Sequence, residues 1–141
     1  MKYAKWILAM MLLLIPAIAA AQMKTTEWIS AQVPFTFVVA NHVIPLGNCT
    51  IRRTDTSGGA LEIRSRSARV DVFATASLTE GRVLSGKYTL VFHKYGMRYF
   101  LAGVKLENSP VVYWFTPSRY EVEALAEGRP ATEKTLLASA R

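Results

Sequence analysis

The chain has 141 residues, 17 Lys and Arg against 10 Asp and Glu, one cysteine and two histidines. That length allows one domain with a core of its own. One cysteine excludes an intramolecular disulfide, and two histidines with one cysteine leave no set at metal-ligand spacing.

Lys2 and Lys5 form a short cationic region, Trp6 to Ile15 is an unbroken apolar run, and small residues follow Pro16 as far as Ala21. This order predicts a secretory signal peptide over residues 1–21, cleaved after Ala21, with Ala19 as the alternative point. An apolar run of about ten residues is too short for a membrane span, which needs roughly 20. Loss of Lys2 and Lys5 leaves 15 basic and 10 acidic side chains on 120 residues, a net +5. The chain is therefore expected to be exported, as a periplasmic or secreted basic protein with no transmembrane span after cleavage. Export argues against a nucleic-acid partner. It leaves an envelope protein, a glycan or a lipid surface as the partner. Oligomeric state is not encoded in any of these features.

Residues 22–32 are polar and mixed, and read as a flexible N-terminal segment. From Val33 onward, short apolar stretches separated by turn residues predict a β-domain over 33–116. Phe35 and Phe37 alternate in the first stretch, with Pro34 at a strand start or edge. Ala40-Asn41-His42 and Pro45-Leu46-Gly47-Asn48 are turn candidates. Cys49 to Thr54 reads as the next strand, with the thiol expected in the interior. Asp55 to Gly59 is a loop. Ala60–Ser65 and Arg69–Ala76 then form a hairpin, with Val70, Val72 and Ala74 on one face and Asp71, Phe73 and Thr75 on the other. Residues 77–86 read as a polar connection.

Lys87–Lys94 and Arg98–Leu106 make the strongest hairpin, turning at Tyr95-Gly96-Met97. Gly103 in its second arm marks a bulge or a close backbone approach. Val111–Phe115 is the last predicted strand, and residues 117–141 are the C-terminal helix and tail. Ser118 with Glu121 matches a capping box. Val122, Leu125 and Ala126 form the apolar stripe of the helix, and Gly128 ends it. Thr132–Ala140 is a marginal candidate for a further helical turn. The expected fold is all-β, an antiparallel sandwich or small barrel of six to eight short strands, with one C-terminal amphipathic helix covering an end or edge.

Several segments together resemble a family of small exported β-rich proteins of environmental Gram-negative bacteria. They are Val33-Pro34-Phe35-Thr36-Phe37-Val38-Val39, Ile44-Pro45-Leu46-Gly47-Asn48-Cys49-Thr50-Ile51, the hairpin segment Leu90 to Leu101, and Ser118, Arg119, Glu121, Glu123 and Leu125. Cys49 stands where that family usually has Tyr, and the two acids of the tail are shifted in register. The resemblance spans most of residues 33–126. It implies a compartment and a shared fold, and it brings no activity.

No catalytic motif emerges. Gly58-Gly59 is not followed by the Lys-Ser or Lys-Thr of a phosphate loop, and no Gly-x-Ser-x-Gly elbow is present. No catalytic, cofactor-binding or metal residue is assigned, no cofactor is expected, and an enzyme is not expected. The leading expectation is an exported, non-catalytic envelope interaction or structural module. One alternative is a small β-barrel binder of an apolar ligand, lined by Tyr88, Phe92, Tyr99, Phe100, Tyr113 and Trp114. A hydrolase built on His93 is a distant third. Arg64, Arg66 and Arg69 form a basic cluster suited to an anionic surface.

Overall fold

A computed structural model of the protein describes residues 29–54, 59–81 and 87–140. The expected signal peptide and residues 55–58 of the predicted loop lie outside that range. Among the described residues eleven strands and one helix follow in chain order: β1 (Ile29–Val33), β2 (Phe37–Val39), β3 (His42–Ile44), β4 (Gly47–Arg53), β5 (Ala60–Ser65), β6 (Val70–Glu80), β7 (Thr89–Tyr95), β8 (Arg98–Lys105), β9 (Val111–Phe115), α1 (Arg119–Ala126), β10 (Thr132–Leu137) and β11 (Ser139–Ala140). The fold is all-β with one short helix. The strand number exceeds the expected six to eight, because short pieces such as β2, β3 and β11 carry too few residues to show a periodicity.

The strand order is β10-β7-β8-β9-β6-β5-β4-β1-β11, with β2 beside β8 and β3 beside β2. All pairings are antiparallel except the short contact of β2 with β8. Both ends of this order belong to one stretch of chain. β10 pairs with β7 and β11 pairs with β1. Only Ala138 separates them, and its amide donates to the Tyr88 carbonyl at 2.8 Å. The strand path thus returns to its start through the C-terminal segment. β6 makes the opposite corner: residues 70–75 pair with β5 and residues 76–80 with β9.

Alternation fills the interior from every side. Val33, Phe37, Ile51, Ile63, Leu90, Phe92 and Val104 are almost fully buried in one cluster that also holds Cys49 and Tyr113. The β7–β8 register shifts between Val91 and Phe92, opposite Ala102. The extra residue lets Leu101 and Val104 both point inward although three positions separate them. The expectation at Gly103 holds in both of its forms. The bulge lies beside it, and a Cβ on Gly103 would lie 2.8 Å from the Trp114 ring.

Three expectations are corrected. Residues 29–32 are not flexible: they belong to β1, whose Ile29, Ala31 and Val33 are core residues. Their short apolar side chains alternate with Ser30 and Gln32, a pattern concealed by the polar residues before it. Residues 77–80 continue β6 rather than start a connection, held by pairing with β9. Residues 132–140 form β10 and β11 and no helix. The ladder partners of β7 and β1 outweigh a helix too short to stand alone.

α1 lies on the outer face of the β7–β8 hairpin rather than over an end of the strands. Ala124 packs there with Tyr95 and Phe100, and Val38 of β2 adjoins them. Glu121 and Ala124 are the buried residues of the helix, whereas Val122 and Leu125 are 55% and 59% exposed. The predicted apolar stripe thus faces outward. The small Ala124 permits close approach to the aromatic rings, and hydrogen bonding makes burial of Glu121 tolerable.

Candidate functional site

The β5–β6 hairpin positions the basic cluster. Antiparallel register sets Arg64 opposite both Thr50 and Asp71. Arg64 Nε donates to Asp71 at 2.7 Å and its Nη2 donates to Glu62 at 3.0 Å. Asp71 first, then Glu62, pushes the Arg64 guanidinium further above its ordinary pKa. On the other side of Glu62, Arg52 Nε donates to it at 2.6 Å. Glu62 is buried between the two cations, which is the only economical way to hold a carboxylate there.

Past this network the chain turns through residues 66–69, with Arg69 in the left-handed region at φ 53°. Arg64, Arg66, Arg69, Asp71, Thr50 and Ser65 line one groove of about 470 Å3. Arg64 is neutralised by Asp71. Arg66 and Arg69 are exposed and make no ion pair among the described residues. The structure therefore brings the three predicted arginines to one place and leaves two guanidinium groups presented to solvent. Such planar forks suit phosphate or carboxylate oxygens.

The six aromatic residues considered as a ligand lining are divided among different places. Tyr88, Phe92 and Tyr113 belong to the main core. Tyr99 stacks on Phe35 with centroids 3.8 Å apart and lies under the ammonium groups of Lys94 and Lys134. Phe100 is covered by α1. Trp114 is on the outer face, its Nε1 donating to Thr79 Oγ1 at 3.0 Å. Tyr88 and Tyr113 do share an inner recess with Arg52 and Arg53 at its mouth, but its volume is about 100 Å3. Arg53 donates to the Tyr113 hydroxyl there at 3.4 Å.

His93 has a carboxylate partner that no local motif announced. Its Nδ1 lies 2.9 Å from Glu121 Oε1, and the Tyr95 hydroxyl donates to the same oxygen at 3.3 Å. Half of the predicted capping box forms: the Glu121 amide donates to Ser118 Oγ at 3.1 Å. The Glu121 carboxylate, instead of returning to the helix start, reaches β7. Burial, then the charge and hydrogen bond of Glu121, raises the pKa of Tyr95 above its ordinary value. A His–Glu pair can orient an imidazole for proton transfer. Among the described residues no Ser, Thr or Cys hydrogen-bonds to the His93 ring. Nor do any three His, Cys, Asp or Glu among them converge to hold a metal. Only the spacing of His93 and Tyr95 on one strand, with an acid early in a helix, could have signalled this contact.

Cys49 is buried in the core, and burial pushes its thiol up to about 12. No helix among the described residues is long and apolar enough to cross a membrane. Comparison with known protein families, curated proteins and solved structures finds no match to this chain.

Proposed function

We propose that the protein is exported and acts in the cell envelope as a non-catalytic interaction module, docking on anionic lipid headgroups through Arg66 and Arg69. The observation that carries this reading is the pair of exposed guanidinium groups at one groove with no ion pair among the described residues, beside an Arg64 already neutralised by Asp71. The net positive charge and the signal-like N-terminus support it. The filled interior supports it over the apolar-ligand binder, because a recess of about 100 Å3 is small against the roughly 300 Å3 at which ligand pockets begin. The hydrolase reading has only the His93–Glu121 pair behind it.

Two measurements test the proposal. The protein expressed with its own N-terminus and recovered from the periplasm should have the mass of residues 22–141. In flotation assays it should travel with phosphatidylglycerol vesicles at low salt, stay behind with phosphatidylcholine, and lose binding as ionic strength rises. Arg66→Gln with Arg69→Gln should abolish flotation without unfolding the protein. Equal behaviour of this variant and the parent would overturn the docking surface. Retention of the full 141 residues in the cytoplasm would overturn the export. Capture instead by an acidic glycan would replace the lipid headgroup as partner.

A further inference from the structure

A second groove, of about 440 Å3, crosses the outer face of β6 to β10. Register fixes its floor. Leu137 is opposite Thr89, Thr89 opposite Lys105, Lys105 opposite Val112, and Val112 opposite Thr79. Directly opposed residues share a face, so these side chains form a transverse row over five strands. At about 4.8 Å per strand gap the row is about 19 Å long. Val104 and Tyr113, the chain neighbours of Lys105 and Val112, point into the core, which places the row on the outside.

The groove is both supported and charged. Trp114, two residues beyond Val112, is held at its edge by Thr79 and lies over Gly103 where no side chain intervenes. The floor hydroxyls are engaged locally: Thr79 receives the indole, Thr89 donates to the Lys87 carbonyl at 3.1 Å, and Ser109 accepts from the Val111 amide at 3.1 Å. Among the described residues no carboxylate lines the groove, and its two ammonium groups, Lys87 and Lys105, make no ion pair. What remains on offer is apolar surface from Trp114, Val112, Leu106 and Leu137, with two cations beside it. Leu137 is 71% exposed.

We propose that this groove binds an amphiphilic anion, an alkyl carboxylate of the fatty-acid type. The carboxylate sits between Lys87 and Lys105, and the tail lies over Val112 and Trp114 on the β9 side of Lys105. Two ammonium groups with no acid among the described lining residues favour an anion over a cationic ligand. From Lys105, at the middle of the row, the stretch across Val112 to β6 is about 10 Å long, which suits a medium-length alkyl tail. The site is independent of the arginine groove.

Titration of the purified protein with decanoate below its micelle concentration tests this, followed by calorimetry and by Trp emission. Saturable one-to-one binding is expected, with an emission change that Trp114→Phe removes. Decanol, the uncharged counterpart, should bind about tenfold more weakly. Lys87→Gln with Lys105→Gln should bring decanoate down to the decanol level and leave the melting temperature unchanged. Arg66→Gln with Arg69→Gln should leave decanoate binding intact. Equal affinity for decanoate and decanol, or binding that ignores the lysine variant, or binding that follows the arginine variant, would each overturn the proposal. So would calorimetric binding that leaves the Trp114 emission unchanged.

Discussion

At the scale of single residues, the chain places chemistry where burial suppresses it. The Cys49 thiol titrates at 9.0 when free of the fold and at about 12 within it. Below pH 9 both states hold the proton and stability is unaffected. Above pH 9 the unfolded state gains by ionising, so stability falls as pH rises toward 12. Tyr95, also raised, adds to the fall in the same direction. Urea midpoints at pH 7.5 and 10.5 should therefore diverge, and diverge less in Cys49→Ala. The native thiol should also resist a thiol reagent at pH 8 until denaturant is added. Gly103 is a second such position. Its missing Cβ would meet the Trp114 ring at 2.8 Å and the Tyr113 carbonyl at 3.0 Å. Neither the ring, pinned by Thr79, nor the β9 backbone can retreat freely. Gly103→Ala is expected to cost about 1–3 kcal/mol in chemical denaturation, whereas the same substitution at Gly59, where nothing lies within 4 Å, should be nearly silent.

Among the elements, α1 shows how a sequence pattern can identify a helix and mistake its orientation. Ser118, Glu121 and Gly128 marked its limits, and the structure keeps them: Ser118 caps the start and Gly128, at φ 76°, follows the end. The apolar stripe suggested Val122 and Leu125 as the buried side. The sheet offered something the stripe could not reveal, two polar groups on β7 reaching for one carboxylate. The turn between β2 and β3 adds a further tie, with Asn41 Oδ1 accepting from the Arg119 amide at 2.7 Å. The energetics should follow these ties and not the stripe. Glu121→Ala, which strands His93 and Tyr95 and opens a gap under the helix, is expected to cost about 2 kcal/mol. Val122→Ser with Leu125→Ser should stay within about 0.5 kcal/mol. If thermal melts gave the reverse order, α1 would pack by its stripe after all.

For the whole molecule, the strands best read from sequence are those whose alternation is long enough to declare itself. β5, β7, β8 and β9 follow the pattern closely, down to the irregularity at Gly103, and β6 follows it as far as Ala76. The basic groove was legible too, since its arginines lie within six positions of one another. What closes the structure was not. Thr132–Leu137 reads Thr-Glu-Lys-Thr-Leu-Leu, and all of it but Leu136 is exposed. No inward face betrays a strand, because its role is to occupy the ladder positions of β7 rather than to supply core. Ala138 is buried at this junction, and a small residue is what a corner between two strands admits. The consequence is a fold whose closure depends on its last residues. Without 132–141, β7 and β1 would each present an unpaired edge, and Tyr88 and Leu90 would lose their cover. A chain ended at Ala131 is therefore expected to lose its cooperative thermal transition and to self-associate through the new edges. Ala138→Asp, which keeps the length but puts a charge in the corner, should lower the melting temperature by several degrees. A truncated chain that stayed monomeric and melted like the parent would show that the strand path is held by β4 to β9 alone and that the C-terminal segment merely lies upon it.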